Sequence, residues 1–203
     1  MNLQRKIGVW KDISIEMAAW DGAEAPVNLS CACMFEREIG NAGWAGGMRH
    51  LDAALGGALS ALRRSGAFRG SYLETLLLDR LPPAIPAQVV LVIGLGDLDA
   101  WTPSVSAMAA ATAVRMAMQH RFTSCAFAPS LLDAGFDGRA ISGVAQTMMK
   151  AVLTVIGAQE KVTESGLASA HRLRRWIFDV GVSHFDQTTE SFQQALSASA
   201  RRA

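Results

Sequence analysis

A cluster of glycines is the feature of this sequence whose residue types and spacing most directly suggest chemistry. The segment GNAGWAGG, residues 40–47, comes shortly before leucines at helical spacing. The glycines therefore lead the chain into a helix N-terminus, where free N–H groups and the helix dipole favour a phosphate or a carboxylate. This makes Gly43, Gly46 and Gly47 candidate anion ligands. The favoured alternative is a tight turn that needs glycine only for its backbone conformation.

Three cysteines raise the question of a metal site or a disulfide. Cys31 and Cys33 are two residues apart in a short apolar segment, so their side chains share one face of a predicted strand. Two thiols are half of a zinc site, and no Cys or His pair at ligand spacing lies near them. An odd number of cysteines in a chain of this length is not a disulfide framework either. We therefore expect buried core cysteines, no bound metal, no cofactor and a reducing compartment.

The other candidates for catalysis or nucleotide binding fail on spacing. Gly94-Leu95-Gly96 follows a buried strand as in a dinucleotide fingerprint, but Asp99 stands where the third glycine is needed. We interpret these glycines as a turn.

No histidine lies in a nucleophile motif, and we expect surface or helix-end positions for His50, His120, His171 and His184. The densest basic cluster consists of His171, Arg172, Arg174 and Arg175. We interpret it as a solvated helix end rather than as a surface that contacts an acidic partner.

Composition excludes several classes of protein. The chain has 203 residues, of which 50% are hydrophobic and 18% are charged, and its formal net charge is +1. So apolar a chain is expected to fold rather than remain disordered. A near-neutral charge argues against partners held by bulk electrostatics, so neither nucleic acid nor a membrane is an expected partner. Asp12 and Glu16 stand where a signal peptide needs an apolar run, which favours a cytoplasmic location.

Strand and helix patterns alternate along the chain. Short apolar or alternating segments predict strands near Ile13, Leu29, Leu76, Val90, Cys125 and Ile177. Helical spacing predicts one leucine-striped helix over residues 51–64, an alanine-rich helix over 103–120, a helix over 141–156 and a last helix from Phe185. This order predicts an α/β fold. Specifically, we expect a three-layer α/β/α sandwich around a mostly parallel mixed sheet, in a single domain over residues 1–203.

One block of the sequence resembles a known family. Residues 51–78, LDAALGGALSALRRSGAFRGSYLETLLL, followed by residues 86–97, PAQVVLVIGLGD, resemble the N-terminal domain of the leucyl aminopeptidase, or cytosol aminopeptidase, family. The likeness lies in the order of parts: a leucine-striped helix with an internal Gly-Gly, a Gly-bounded turn, a leucine strand, a proline turn and a buried strand. It extends from Ile13 to Gly157 and implies a macro-domain-like fold.

The resemblance also shows what this sequence lacks. Aminopeptidases of the family hold two metal ions in a separate C-terminal domain, through a Lys-Gly-containing motif ending in Asp-Ser-Gly-Gly and a later Asp-x-Glu-Gly-Arg motif. No lysine and no glutamate of this sequence is followed by glycine. The resemblance therefore implies a non-catalytic interaction or regulatory module rather than an enzyme. Its expected partner is a second copy of the chain or a separate protein.

A likeness to macro domains implies an alternative, a binder of ADP-ribose or a related nucleotide or phosphate ligand. Macro domains cradle a diphosphate with a glycine loop and hold adenine with an aspartate. The matching positions here are Asp21 after the first predicted strand, the glycines Gly43, Gly46 and Gly47, and in a second loop Asp133, Gly135 and Gly138. The sequence departs from that pattern at residues 31–34, Cys-Ala-Cys-Met, where macro domains carry an Asn-rich strand end, and in the loop after Ala128, where only Asp133, Gly135 and Gly138 stand in place of a glycine run.

Overall fold

Seven strands and five helices follow one another in the computed structural model, which describes residues 3–20, 23–38, 43–131, 143–182 and 185–201. The strands are β1 (Leu3–Trp10), β2 (Ile13–Ala19), β3 (Leu29–Phe35), β4 (Thr75–Leu78), β5 (Val89–Gly96), β6 (Ser124–Ala128) and β7 (Arg175–Asp179). The helices are α1 (Gly46–Ala54), α2 (Ala58–Ser65), α3 (Pro103–Gln119), α4 (Val144–Glu164) and α5 (Phe185–Ala200).

All seven strands form one mixed sheet in the order β1-β2-β7-β6-β3-β5-β4. The five inner strands run parallel to one another, and the two edge strands, β1 and β4, are antiparallel to β2 and β5. Every residue of β3 is buried, as expected for a strand covered on both faces. The predicted α/β sandwich with a mostly parallel mixed sheet is confirmed.

Alternate residues of the central strands supply cores on both faces of the sheet, one on the side of α3, α4 and α5 and two on the other side. Cys31 and Leu91 face α3, α4 and α5, while Ala32 and Val92 face α1 and α2. Alanines of α3 that are inaccessible to solvent let this helix pack closely against α4 and the sheet. The helices thus form the two outer layers. No helix of the described segments is long and apolar enough to span a membrane.

The sequence patterns did not predict the first strand, β1. Its residues LQRKIGVW place three polar side chains in a row, so the strand lacks the alternation that marks a half-buried one. It forms because a tight turn folds it back onto β2. Lys11 and Asp12 have φ angles of 47° and 64°, the two positive values of a type I′ hairpin turn.

The sequence predicts one helix for the leucine stripe, but the structure has two helices there, α1 and α2. Gly56 and Gly57 have φ angles of 65° and 81°, and these left-handed conformations end α1 before α2 begins. Asp52 of α1 compensates for the break. Its Oδ1 accepts the N–H groups of Leu59 and Ser60 at 2.9 and 3.1 Å, which satisfies donors that a helix start leaves free.

The interpretation of Gly94-Leu95-Gly96 as a turn is wrong, because these residues complete β5. The glycines are needed for a close approach instead. A Cβ at Gly94 would lie 2.0 Å from the carbonyl oxygen of Ser71, and one at Gly96 would lie 3.1 Å from Cβ of Tyr72. A turn over residues 69–74 therefore crosses directly over the end of this strand.

Candidate functional site

The carboxyl ends of the five parallel strands meet at one edge of the sheet, where α/β proteins commonly bind ligands. The chain enters α1 at this edge, as predicted: Gly43 precedes the helix, and Gly46 and Gly47 are its first two residues. Gly43, Gly46 and Gly47 are therefore placed at the carboxyl edge. The other predicted ligand residues, Asp21, Asp133, Gly135 and Gly138, lie outside the described residues.

Among the described residues, no side chain neutralises the dipole at the N-terminus of α1. Its N-cap, Ala45, makes no side-chain capping hydrogen bond, and the first turn of the helix contains no acidic residue. Gly43 and Gly46 are exposed and have φ angles of 77° and 49°. The first N–H groups of a helix in this state suit an anion.

An ion pair that the sequence did not predict anchors the loop between β3 and α1. Arg63 of α2 donates from Nη1 to both carboxylate oxygens of Glu38, at 2.8 and 2.9 Å, and from Nη2 to the carbonyl oxygen of Phe35. Its guanidinium also lies 4.7 Å from the ring centre of Trp44. Glu38 is only 7% exposed. The loop that holds the candidate glycines is thus fastened to α2 at both ends.

A second charged contact joins the ends of β3 and β5. Arg37 pairs with Asp99 and lies 3.7 Å from a carboxylate oxygen of Asp97. All three side chains are well exposed to solvent, so the pairing adds little to stability. Its effect is to place a charged cluster at the carboxyl edge of the sheet.

A turn of three successive N–H groups beside the same edge already holds an anion, the carboxylate of Glu74. Its Oε2 accepts from the backbone nitrogens of Arg69, Gly70 and Ser71 at 3.0, 2.9 and 3.0 Å. Gly70 has φ of 84°, and a Cβ there would lie 2.9 Å from the carbonyl oxygen of Phe35. Such a concave set of N–H groups binds anions generally, and here the protein's own side chain occupies it.

Backbone strain marks the start of the loop after β6. Ser130 has φ of 54°, a conformation that non-glycine residues rarely adopt. At the end of β7, the Oδ1 of Asp179 accepts the backbone N–H of Trp20 at 2.9 Å, which fixes the end of β2 against β7. Both features shape the carboxyl edge, and neither is readable from residue spacing.

The cysteines lie in the core, as predicted. Cys31 and Cys33 share the face that packs against α3 and α4, and the Sγ of Cys31 lies 3.7 Å from that of Cys125 on β6. Burial raises the pKa of the Cys31 and Cys33 thiols well above the ordinary value, so neither is a ready nucleophile. Among the described residues there is no group of three side chains suited to a metal ion.

The basic cluster lies at the opposite, amino end of the strands and is only partly solvated. Arg175 is not free, because its guanidinium donates to both oxygens of Glu16 at 3.1 Å. Burial lowers the pKa of His171, and the charge of Arg174 lowers it further. Arg172 and Arg174 are exposed, as predicted, but the predicted helix end is wrong: α4 ends at Glu164, and residues 171–174 belong to the irregular segment that leads into β7.

Comparison with known families identifies the chain. A model of the cytosol aminopeptidase family, N-terminal domain, matches residues 40–155, which is more than half of the sequence. The chain belongs to this family. The matched segment of this aminopeptidase-family domain includes the glycine turn, both leucine helices, β4, β5 and the Glu74 turn. No curated protein sequence matches the chain significantly.

Solved structures show the same fold at low sequence identity. The Oceanobacillus iheyensis macrodomain with ADP has a TM-score of 0.66 at 13% identity, over all of both chains. A mutant of tomato leucine aminopeptidase has a TM-score of 0.66 at 20% identity, over 93% of this chain but only 36% of its own. The Trypanosoma brucei macrodomain in complex with ADP has a TM-score of 0.60 at 14% identity, over 95% of this chain and 74% of its own.

Proposed function

We propose that this aminopeptidase-family domain is a non-catalytic interaction module in the cytoplasm. The support begins with the sequence. The 203 residues contain neither the Lys-Gly nor the Glu-Gly pairs of the two metal-binding motifs in the family's peptidases. The tomato aminopeptidase matches this chain over about a third of its own length, so the remaining two thirds have no counterpart here.

An apolar groove carries the proposal. It lies between the α1–α2 break and the segment that follows β4, and it has a volume of about 700 Å³. Its walls are mostly aliphatic and include Leu55, Leu59, Leu62, Leu78, Leu81 and Pro82. All of these except Leu59 are partly exposed to solvent. Contiguous exposed apolar surface of this kind usually marks a protein contact.

Association and activity measurements test the proposal together. We expect sedimentation velocity at rising concentration to show a defined oligomer, and we expect Leu81→Glu to weaken it by placing a charge in the groove. The control is Leu167→Glu, which changes a leucine that is 81% exposed outside the groove. We expect no leucine amide hydrolysis with added manganese or zinc. Metal-dependent turnover that survives rigorous purification contradicts the proposal.

A second candidate function, binding of ADP-ribose or a related nucleotide, rests on the uncapped N-terminus of α1. Two of the macrodomains with this fold were solved with ADP. Against it, Cys31 and Cys33 occupy the strand where macro domains carry asparagines. We therefore expect ADP-ribose to leave the melting temperature of this chain unchanged.

Thermal shift decides between the two functions. A ligand at about 100 times its dissociation constant adds about 2.7 kcal/mol to stability, which is readily measured. A saturable rise that Gly46→Glu abolishes would establish the binder. The matched control is Gly56→Glu, because Gly56 also has positive φ and is exposed, but lies in the α1–α2 break. A rise that both variants abolish would indicate general destabilisation instead.

A further inference from the structure

We draw no further inference here: the strongest candidate, the apolar groove between the α1–α2 break and the segment that follows β4, already carries the proposed interaction function, and nothing in the structure shows what covers it.

Discussion

Arg63 illustrates how a single side chain can hold a loop that no local pattern specifies. It joins Glu38, the carbonyl of Phe35 and the ring of Trp44, and so connects α2 to both ends of the loop after β3. Removal of one partner from a buried ion pair leaves the other charge uncompensated. We therefore expect Arg63→Ala to lower the free energy of unfolding by about 3 kcal/mol. Urea unfolding followed by circular dichroism measures this change.

The neighbouring Arg64 provides the control for this residue-scale prediction. It is exposed, carries the same charge and lies in the same turn of α2. Arg64→Ala should change stability by no more than about 0.5 kcal/mol, as is usual for a surface substitution. Equal losses in the two variants would mean that helix formation, and not the anchored loop, accounts for the effect.

At the scale of elements, the turn over residues 69–74 and the end of β5 fit together only because Gly94 has no side chain. A Cβ would lie 2.0 Å from the carbonyl oxygen of Ser71 and 2.5 Å from the carbonyl carbon of Gly70, and backbone atoms cannot yield as a side chain can. We expect Gly94→Ala to lower the melting temperature strongly, with a loss of about 3 kcal/mol or more in stability.

Gly157 is the matched control, because it lies within α4 and a Cβ there would meet no neighbouring atom within 4 Å. Alanine is the better helix former, so Gly157→Ala should raise stability by about 0.5–1 kcal/mol. The two substitutions are chemically identical and are expected to have opposite signs. A destabilised Gly157→Ala variant, or a neutral Gly94→Ala variant, would contradict this packing of the turn against β5.

At the scale of the whole molecule, acid stability depends on groups that join distant parts of the chain. Burial by itself would raise the pKa of Glu16, but hydrogen bonds from Arg175, Gln4 and Ser14 together lower it. The unfolded state therefore binds a proton at higher pH than the folded state. The stabilising effect is fully present above the ordinary value of 4.5 and is lost as pH falls through the lower pKa of the folded protein.

His171 also makes the folded protein less stable as pH falls, and its effect begins at a higher pH than that of Glu16. Burial and Arg174 lower its pKa, so stability should begin to fall as pH drops below the ordinary histidine value of 6.5. Urea midpoints measured across pH should show both steps. We expect His171→Gln to remove the first and Glu16→Gln to reduce the second, while Glu24→Gln, at an exposed carboxylate, should change neither.

The sequence by itself determined the alternation of strands and helices after β1 and the mostly parallel sheet. Those features depend on local periodicity, since an apolar run such as residues 89–93 can be buried only between two layers. It also placed Gly43, Gly46 and Gly47 at a helix start, because glycine turns and leucine spacing are local signals; Gly46 and Gly47 are the first two residues of α1.

Only the tertiary structure decided the rest, because those features depend on contacts between residues that are far apart in sequence. The polar strand β1 forms through its pairing with β2, and Gly94 is fixed by a turn that crosses over β5. Cys31 meets Cys125, and Arg63 meets Glu38, across 94 and 25 positions of the chain. The open edge of β4 is likewise a property of the assembled sheet, since TLLL as a sequence does not reveal whether one neighbour or two will cover it.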